Sequence, residues 1–142
     1  MEKDQALINR LGFNNHGSDI VFKRISNNLP DGFLGINIGP NKDTLNKEED
    51  FYLCLKKISP CAGYVTINIS SPNTDGLRDF HDQKELEKLL DGINKIKKDN
   101  NLLKPLVVKL SPDINNNKIS EIVELVIKFK ISGIIVSNTT EG

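Results

Sequence analysis

The sequence predicts an α/β fold with a parallel sheet, because short apolar segments alternate with longer helical ones. Four stretches rich in β-branched residues are typical of strands that are buried on both faces. They are GFLGINIG (32–39), GYVTINIS (63–70), PLVVKLS (105–111) and SGIIVSN (132–138). Since a helical segment separates each pair, we expect consecutive strands to be joined by helical crossovers.

The helical segments show apolar residues that recur every three or four positions. Residues 82–98 have the strongest pattern, and Asp82 and Glu85 at their front have the spacing of a capping box. Residues 47–59 and 117–130 repeat the pattern, and GSDIVFKRISNN (17–28) predicts a helix before the first strand. The apolar positions are Phe51, Cys54, Leu55 and Ile58, then Leu86, Leu89, Leu90, Ile93 and Ile96, then Ile119, Ile122, Val123, Val126 and Ile127.

The spacing of the strands favours a barrel. They begin about 30 to 40 residues apart, which is the size of one βα unit, and no G-x-G-x-x-G sequence follows any of them. A dinucleotide-binding Rossmann domain is therefore less favoured. Four units make about half of an eight-stranded barrel of roughly 250 residues, and alone they would leave two unpaired sheet edges. We therefore interpret the 142 residues as a partial (β/α)8 barrel and a piece of a longer protein.

Composition excludes several classes of function. The chain has 19 basic and 19 acidic residues, so it lacks the net positive charge expected of a nucleic-acid-binding protein. No apolar run approaches the roughly 20 residues of a spanning helix, and we expect this segment to be soluble. Cys54 and Cys61 form no metal-binding spacing with His16 or His81, so we expect no metal site and two reduced, intracellular cysteines.

Polar side chains collect at the carboxyl end of every predicted strand. Ligands bind at that end of a parallel α/β sheet, because the loops there are free to vary. One such residue alone would be ordinary loop chemistry, but four strands in succession indicate a binding site. The residues are Asn37 on the first strand, Asn68 and the following Ser-Ser-Pro-Asn on the second, Lys109 on the third, and Asn138, Thr139 and Thr140 on the fourth.

Two of these positions suggest particular chemistry. Lys109 lies within LVVKLS, where a charged ammonium would be costly unless it faced a partner or a ligand. Asparagine amides both donate and accept, which suits a heterocycle with carbonyl and N–H groups. Ser71 is the candidate for catalysis, since Pro72 restrains the chain after it, and Thr74 could accept a proton from it. Neither histidine has a triad arrangement with Ser71, so a hydrolase is not supported.

Five motifs together identify a family. INRLGFNNHG, GINIGPNKDT, INISSPNTDGLR, VVKLSPD and SNTT resemble dihydroorotate dehydrogenase in order and approximate spacing, from about residue 4 to residue 140. The resemblance implies an FMN-containing (β/α)8 barrel that oxidises dihydroorotate to orotate, the redox step of pyrimidine synthesis. Ser-Ser-Pro-Asn is similar to class 2, whose catalytic base is a serine where class 1 has cysteine.

The resemblance also implies a role for each site residue. Ser71 would remove the C5 proton of dihydroorotate while C6 gives a hydride to the flavin, and Phe13 and Thr74 would line the route by which the proton leaves. Lys109 would stabilise negative charge on the reduced flavin. The implied substrate-binding residues are Asn9, Arg10, Leu11, Gly12, Phe13, Asn68, Asn73, Asn138 and Thr139, and the implied FMN-binding residues are Asn37, Asn68, Lys109 and Ser137.

The same resemblance sets expectations for the longer enzyme. Residues 1–142 would be the central segment of one FMN-binding barrel, without the membrane-associated N-terminal helices and the C-terminal half that binds the FMN phosphate. Those helices would carry the quinone acceptor and a peripheral contact with the inner membrane, on the bacterial cytoplasmic face or in mitochondria. Two alternatives stay open: a non-catalytic half-barrel that persists by self-association, and another FMN barrel acting on a pyrimidine, such as the related domain of dihydropyrimidine dehydrogenase.

Overall fold

The fold is taken from a computed structural model that describes residues 3, 5 and 7–140. Helices and strands alternate along the chain as predicted, although the strands are shorter than the apolar runs that contain them. The elements are α1 (Ser18–Asn27), β1 (Gly35–Ile38), α2 (Lys47–Ile58), β2 (Tyr64–Asn68), α3 (Gln83–Asp99), β3 (Leu106–Leu110), α4 (Asn116–Lys128) and β4 (Gly133–Val136). Two single-turn 3-10 helices, Ser59–Cys61 and Arg78–His81, precede β2 and α3.

The four strands form one parallel sheet in the order β1-β2-β3-β4. The predicted α/β class and the parallel sheet are therefore confirmed. The register places Asn37 beside Thr66, and Asn68 beside Lys109. Since register partners of parallel strands point to the same side of a sheet, Asn68 and Lys109 lie on one face.

Side-chain caps set the starts of the crossover helices. Asn46 accepts from the backbone N–H of Glu49 at α2, and Asn115 accepts from that of Asn117 at α4, each at 3.1 Å. Asp82 begins α3 as expected, but its carboxylate accepts from the backbone N–H of Lys84 and not from that of Glu85. Such caps satisfy backbone donors that have no partner inside the helix.

A single core joins the sheet to the helices. Alternate strand residues such as Val65, Ile67 and Val108 are fully buried with residues of α2, α3 and α4, among them Leu55 and Leu89. Burial of this apolar surface drives the helices onto one face of the sheet.

The opposite face of the sheet is only partly covered. Strand β2 is buried almost throughout, but exposed and buried residues alternate along β1, and half-buried and buried residues alternate along β3. Strand β4 contains no buried residue. The expectation of burial on both faces is therefore wrong for β1, β3 and β4, because no second layer covers the helix-free face within the described residues. Asn37 and Lys109 lie on this helix-free face. Among residues 7–140, no helix is both long and apolar enough to cross a bilayer.

Candidate active site

A cavity of about 250 Å³ lies at the carboxyl ends of the strands. It is lined from β1, β2, β3, the segment after β4 and the segment before α1. The lining residues are Asn9, Gly12, Phe13, Asn37, Asn68, Ser71, Pro72, Asn73, Lys109, Asn138 and Thr139. All of them except Pro72 were predicted as site residues. The chain thus brings residues as far apart in sequence as Asn9 and Thr139 to one cavity.

Four predicted residues do not line the cavity. Arg10 and Leu11 are exposed in the segment before α1, and Ser137 is half-buried after β4. Thr74 is buried in the turn after Asn73, and its carbonyl oxygen accepts from the backbone N–H of Leu77. Each of these four residues is adjacent in sequence to a residue that lines the cavity, but none of the four lines it.

A larger groove of about 570 Å³ lies elsewhere, near the starts of α2, α3 and α4. Apart from the apolar or uncharged Leu45, Gly76 and Phe80, its lining mixes both signs of charge: Lys47, Arg78 and Lys118 with Glu48, Asp79, Asp82 and Glu85. This mixture selects no ligand class, and the groove contains none of the predicted site residues. The smaller cavity is therefore the better candidate for chemistry.

Lys109 is a half-buried cation in the cavity wall. Lys109 lies on the helix-free face of β3, and its side chain lines the cavity. The ammonium therefore avoids the free-energy cost of burial in the apolar core. Among the described residues, no acidic side chain forms an ion pair with it. A ligand with a negative or electron-rich group would complement this charge.

A buried serine, Ser70, links Asn68 at the end of β2 to Asn138 after β4. The Ser70 hydroxyl donates to Asn68 Oδ1 at 2.6 Å, and the Ser70 backbone N–H donates to the same oxygen at 3.1 Å. Asn138 Nδ2 in turn donates to Ser70 Oγ at 2.9 Å. Since Asn68 Oδ1 is occupied within the protein, the Asn68 amide nitrogen remains as a donor toward a ligand.

Ser71 lies in the loop directly after this network and is 6% exposed. Its Oγ accepts a hydrogen bond from the backbone N–H of Asn73 at 3.2 Å. This N–H favours negative charge on the Ser71 oxygen. Phe13 also lines the cavity, and its ring lies so close to Gly39 that a Cβ added there would be 2.6 Å from a ring carbon.

His81 is buried away from this cavity. It is 7% exposed, does not line the cavity, and its Nε2 has no hydrogen-bond partner among the described residues. Burial, assisted by the positive charges of Arg78 and Lys118, lowers the pKa of His81 to about 4. His81 is therefore neutral near pH 7 and does not lie where it could assist Ser71.

Comparison with known proteins identifies the family. The family model described as dihydroorotate dehydrogenase matches residues 1–142. The chain belongs to the dihydroorotate dehydrogenase family. It is 42% identical over 142 residues to the dihydroorotate dehydrogenase (quinone) of Vibrio atlanticus, covering 96% of this chain and 42% of the relative. It is 40% identical to the enzyme of that name from Idiomarina loihiensis, covering 99% and 44%.

Solved structures agree with the partial barrel. The crystal structure of the Eimeria tenella dihydroorotate dehydrogenase in complex with ferulenol matches with a TM-score of 0.89 at 31% identity, over 99% of this chain and 44% of that one. The ligand-free form matches with a TM-score of 0.86 at 32% identity, over 99% and 46%. The chain therefore spans less than half the length of these members of the dihydroorotate dehydrogenase family.

No role was predicted from the sequence for three polar residues near the cavity: Ser70, Arg78 and Asp113. Ser70 was visible between Asn68 and Ser71, but nothing indicated that its side chain would bridge two walls of the cavity. Arg78 and Asp113 form an ion pair across 35 positions of sequence, with 3.1 Å between Arg78 NH1 and Asp113 Oδ2. Arg78 and Asp113 belong to two of the motifs that resemble the family, INISSPNTDGLR and VVKLSPD. Nothing else in the sequence indicated that these two residues form a pair.

Proposed function

We propose that this chain forms the substrate side, and part of the flavin side, of the active site of a dihydroorotate dehydrogenase. The observation that carries the proposal is the cavity itself, in which Ser71, Lys109 and amides from several walls surround one space. A serine, a cation and several amides suit a heterocycle with carbonyl, N–H and carboxylate groups. Dihydroorotate is such a molecule.

The proposed reaction removes a proton from C5 and a hydride from C6 of dihydroorotate, which leaves the carbon–carbon double bond of orotate. Ser71 Oγ takes the C5 proton, and the Asn73 N–H stabilises the oxygen as its own proton departs. That proton would leave through Thr74 and past Phe13. Neutral serine is a weak base, so its activation depends on this hydrogen bond and on exclusion of water.

The amides hold the substrate in this proposal. Asn73, Asn138 and Thr139 line the same cavity as Ser71, and Asn9 and Gly12 from the segment before α1 line it too. Arg10 and Leu11, which precede Gly12 in the chain, complete that segment. Hydrogen bonds that hold the ring next to Ser71 make proton removal a reaction within one complex. Such positioning can supply a large part of the reduction in the activation barrier.

FMN is the cofactor that the donor set fits. The Lys109 ammonium and the Asn37 and Asn68 amides face the cavity from three adjacent strands, and Ser137 lies at the end of the fourth. When bound, FMN would accept the hydride from C6. Lys109 supplies positive charge beside an electron-rich ring, and the cation has no acidic partner among the described residues to neutralise it.

A quinone is proposed as the final electron acceptor. The support is that relatives from Vibrio atlanticus and Idiomarina loihiensis carry the word quinone in their names. We assign the quinone site, and a peripheral contact with the inner membrane, to N-terminal helices of the longer enzyme. None of the residues that line the cavity is assigned to either contact.

A chimera tests the proposal. Residues 1–142 replace the matching segment of the Vibrio atlanticus enzyme, which is 42% identical over this span. We expect the purified chimera to be yellow and to form orotate from dihydroorotate. Ser71→Ala should retain flavin and lower turnover by about 10²- to 10⁴-fold, the usual contribution of a general base. Exposed Ser26 provides the control Ser26→Ala, which should leave turnover unchanged. A yellow chimera without turnover, or ordinary turnover in Ser71→Ala, would refute the assignment.

A further inference from the structure

An ion pair and a hydrogen bond connect the segments that follow β2, β3 and β4. Arg78 NH1 lies 3.1 Å from Asp113 Oδ2, and the two side chains are 21% and 30% exposed. Arg78 follows β2 in sequence, and Asp113 follows β3. The second carboxylate oxygen of Asp113 accepts from the hydroxyl of Thr140, which follows β4. Partial burial and two partners for one carboxylate favour a fixed geometry over a mobile surface pair.

The same guanidinium holds the backbone next to the proposed base. Arg78 Nε donates to the carbonyl oxygen of Ser70 at 3.3 Å. This carbonyl belongs to the peptide unit that connects Ser70 to Ser71. Because a peptide unit is planar, restraining this carbonyl also restrains the direction of the Ser71 N–H and the position of the Ser71 Cα, from which the side chain extends. Arg78 is therefore hydrogen-bonded to the peptide unit that immediately precedes the Ser71 Cα.

Asp113 is itself held in place. Its backbone N–H donates to Ser111 Oγ at 3.1 Å, and Ser111 is buried directly after β3. The ion pair thus connects the segment after β2 to a residue that is anchored at the end of β3. The Ser70 side chain is fixed independently, between Asn68 and Asn138. Ser70 is consequently held through both its hydroxyl and its carbonyl.

We propose that the Arg78–Asp113 ion pair is a positioning unit that sets the direction of the Ser71 hydroxyl. Neither member lines the cavity that contains Ser71, so we assign the pair a positioning role and no contact with substrate or flavin. The inference rests on the proposed role of Ser71 as the base. Misplacement of a reacting group by about 1 Å can lower a rate by about 100-fold, so loss of the pair should reduce the rate of proton removal.

The test uses the flavin-containing chimera described above. Arg78→Met and Asp113→Asn should each lower kcat by about 10- to 100-fold, leave KM within about threefold, and leave the flavin content unchanged. The double variant should be no slower than the slower single variant, because both changes break the same unit. Lys88→Met is the matched control, since it breaks the 2.8 Å ion pair between exposed Lys88 and half-buried Glu48, neither of which lines the cavity, and it should have no effect.

A conservative variant separates geometry from charge. Arg78→Lys keeps the positive charge but lacks the planar fork that reaches both the Ser70 carbonyl and Asp113. We expect it to be nearly as slow as Arg78→Met. Full activity in Arg78→Lys, or a loss of kcat that merely follows loss of flavin, would overturn the inference. If Arg78→Met does not fold, Asp113→Asn, which preserves side-chain size, decides the matter in the same way.

Amide hydrogen exchange gives a readout that is independent of turnover. In the Arg78 and Asp113 variants, exchange of the backbone N–H groups in residues 69–74 should become faster than in the parent chimera, while exchange in α3 stays the same. Unchanged exchange in both regions would contradict the positioning role. An inactive parent chimera would refute the proposed function. The exchange comparison would still test whether the Arg78–Asp113 pair restrains residues 69–74.

Discussion

Acidification should destabilise this fold through one buried histidine. The fold keeps His81 neutral, and the lowered pKa of about 4 is due to burial first and to Arg78 and Lys118 second. In the unfolded chain the imidazole has its ordinary pKa of about 6.5 and takes up a proton sooner. Unfolding therefore binds a proton between these two values, and the stability contributed by neutral His81 is lost as pH falls through this window.

The size of the effect follows from the two pKa values. One unit of pKa corresponds to about 1.4 kcal/mol, so lowering the pH from 7.5 to 5.5 should remove about 1.4 kcal/mol of unfolding free energy through His81. Near pH 4 the loss approaches about 3 kcal/mol. His81→Leu removes the titrating group and a buried nitrogen that has no partner among the described residues. We expect that variant to lose this part of the pH dependence.

The assay is urea unfolding of the chimera at pH 7.5 and pH 5.5, with and without His81→Leu. Other groups titrate equally in both proteins, so the difference between their pH dependences isolates His81. Equal loss of stability between the two pH values in the parent and in His81→Leu would refute the reasoning.

Three further predictions concern the base, the helix packing and the isolated chain. Ser71→Cys should retain some orotate formation with a displaced pH optimum, because a thiol ionises more readily than a hydroxyl; an unchanged pH profile would count against the base. Gly92→Ala should lower the urea midpoint, because the new Cβ would lie 2.0 Å from the hydroxyl oxygen of Tyr52, and displacing that ring should cost more than the gain of about 1 kcal/mol in helix propensity. Gly32→Ala is the control, since its Cβ would meet no atom within 4 Å. Residues 1–142 expressed alone should be oligomeric by size-exclusion chromatography and colourless, because β1 and β4 have unpaired edges among the described strands; a yellow, active monomer would contradict this.

Sequence periodicity located every crossover helix but did not specify which face is buried. In α4, Ile122 and Val126 are buried as expected, whereas Ile119, Val123 and Ile127 are exposed. Buried Leu125 was not among the predicted positions. A helix whose apolar stripe is wide can cover more than one neighbour, and the sequence does not state which neighbour is present.

The site was predictable to the extent that it depends on strand ends. Parallel strands place their carboxyl ends at one edge, so Asn37, Asn68, Lys109 and Asn138 could be brought together without knowing any contact. The Arg78–Asp113 pair could not, because an ion pair between distant loops leaves no local periodicity. The burial of His81 was likewise missed, since a lone histidine at the start of a helix is equally compatible with solvent.

Anaerobic reduction of the chimera by dihydroorotate tests the central claim most directly, because it measures the step assigned to this cavity without any contribution from the final electron acceptor. Flavin absorbance should bleach in a single rapid phase when dihydroorotate is mixed with the enzyme in the absence of any acceptor. In Ser71→Ala the same phase should be slower by about 10²- to 10⁴-fold, with flavin still bound. A chimera that binds flavin but is not bleached by dihydroorotate, or a Ser71→Ala variant that is bleached at the parent rate, would contradict the proposed active site.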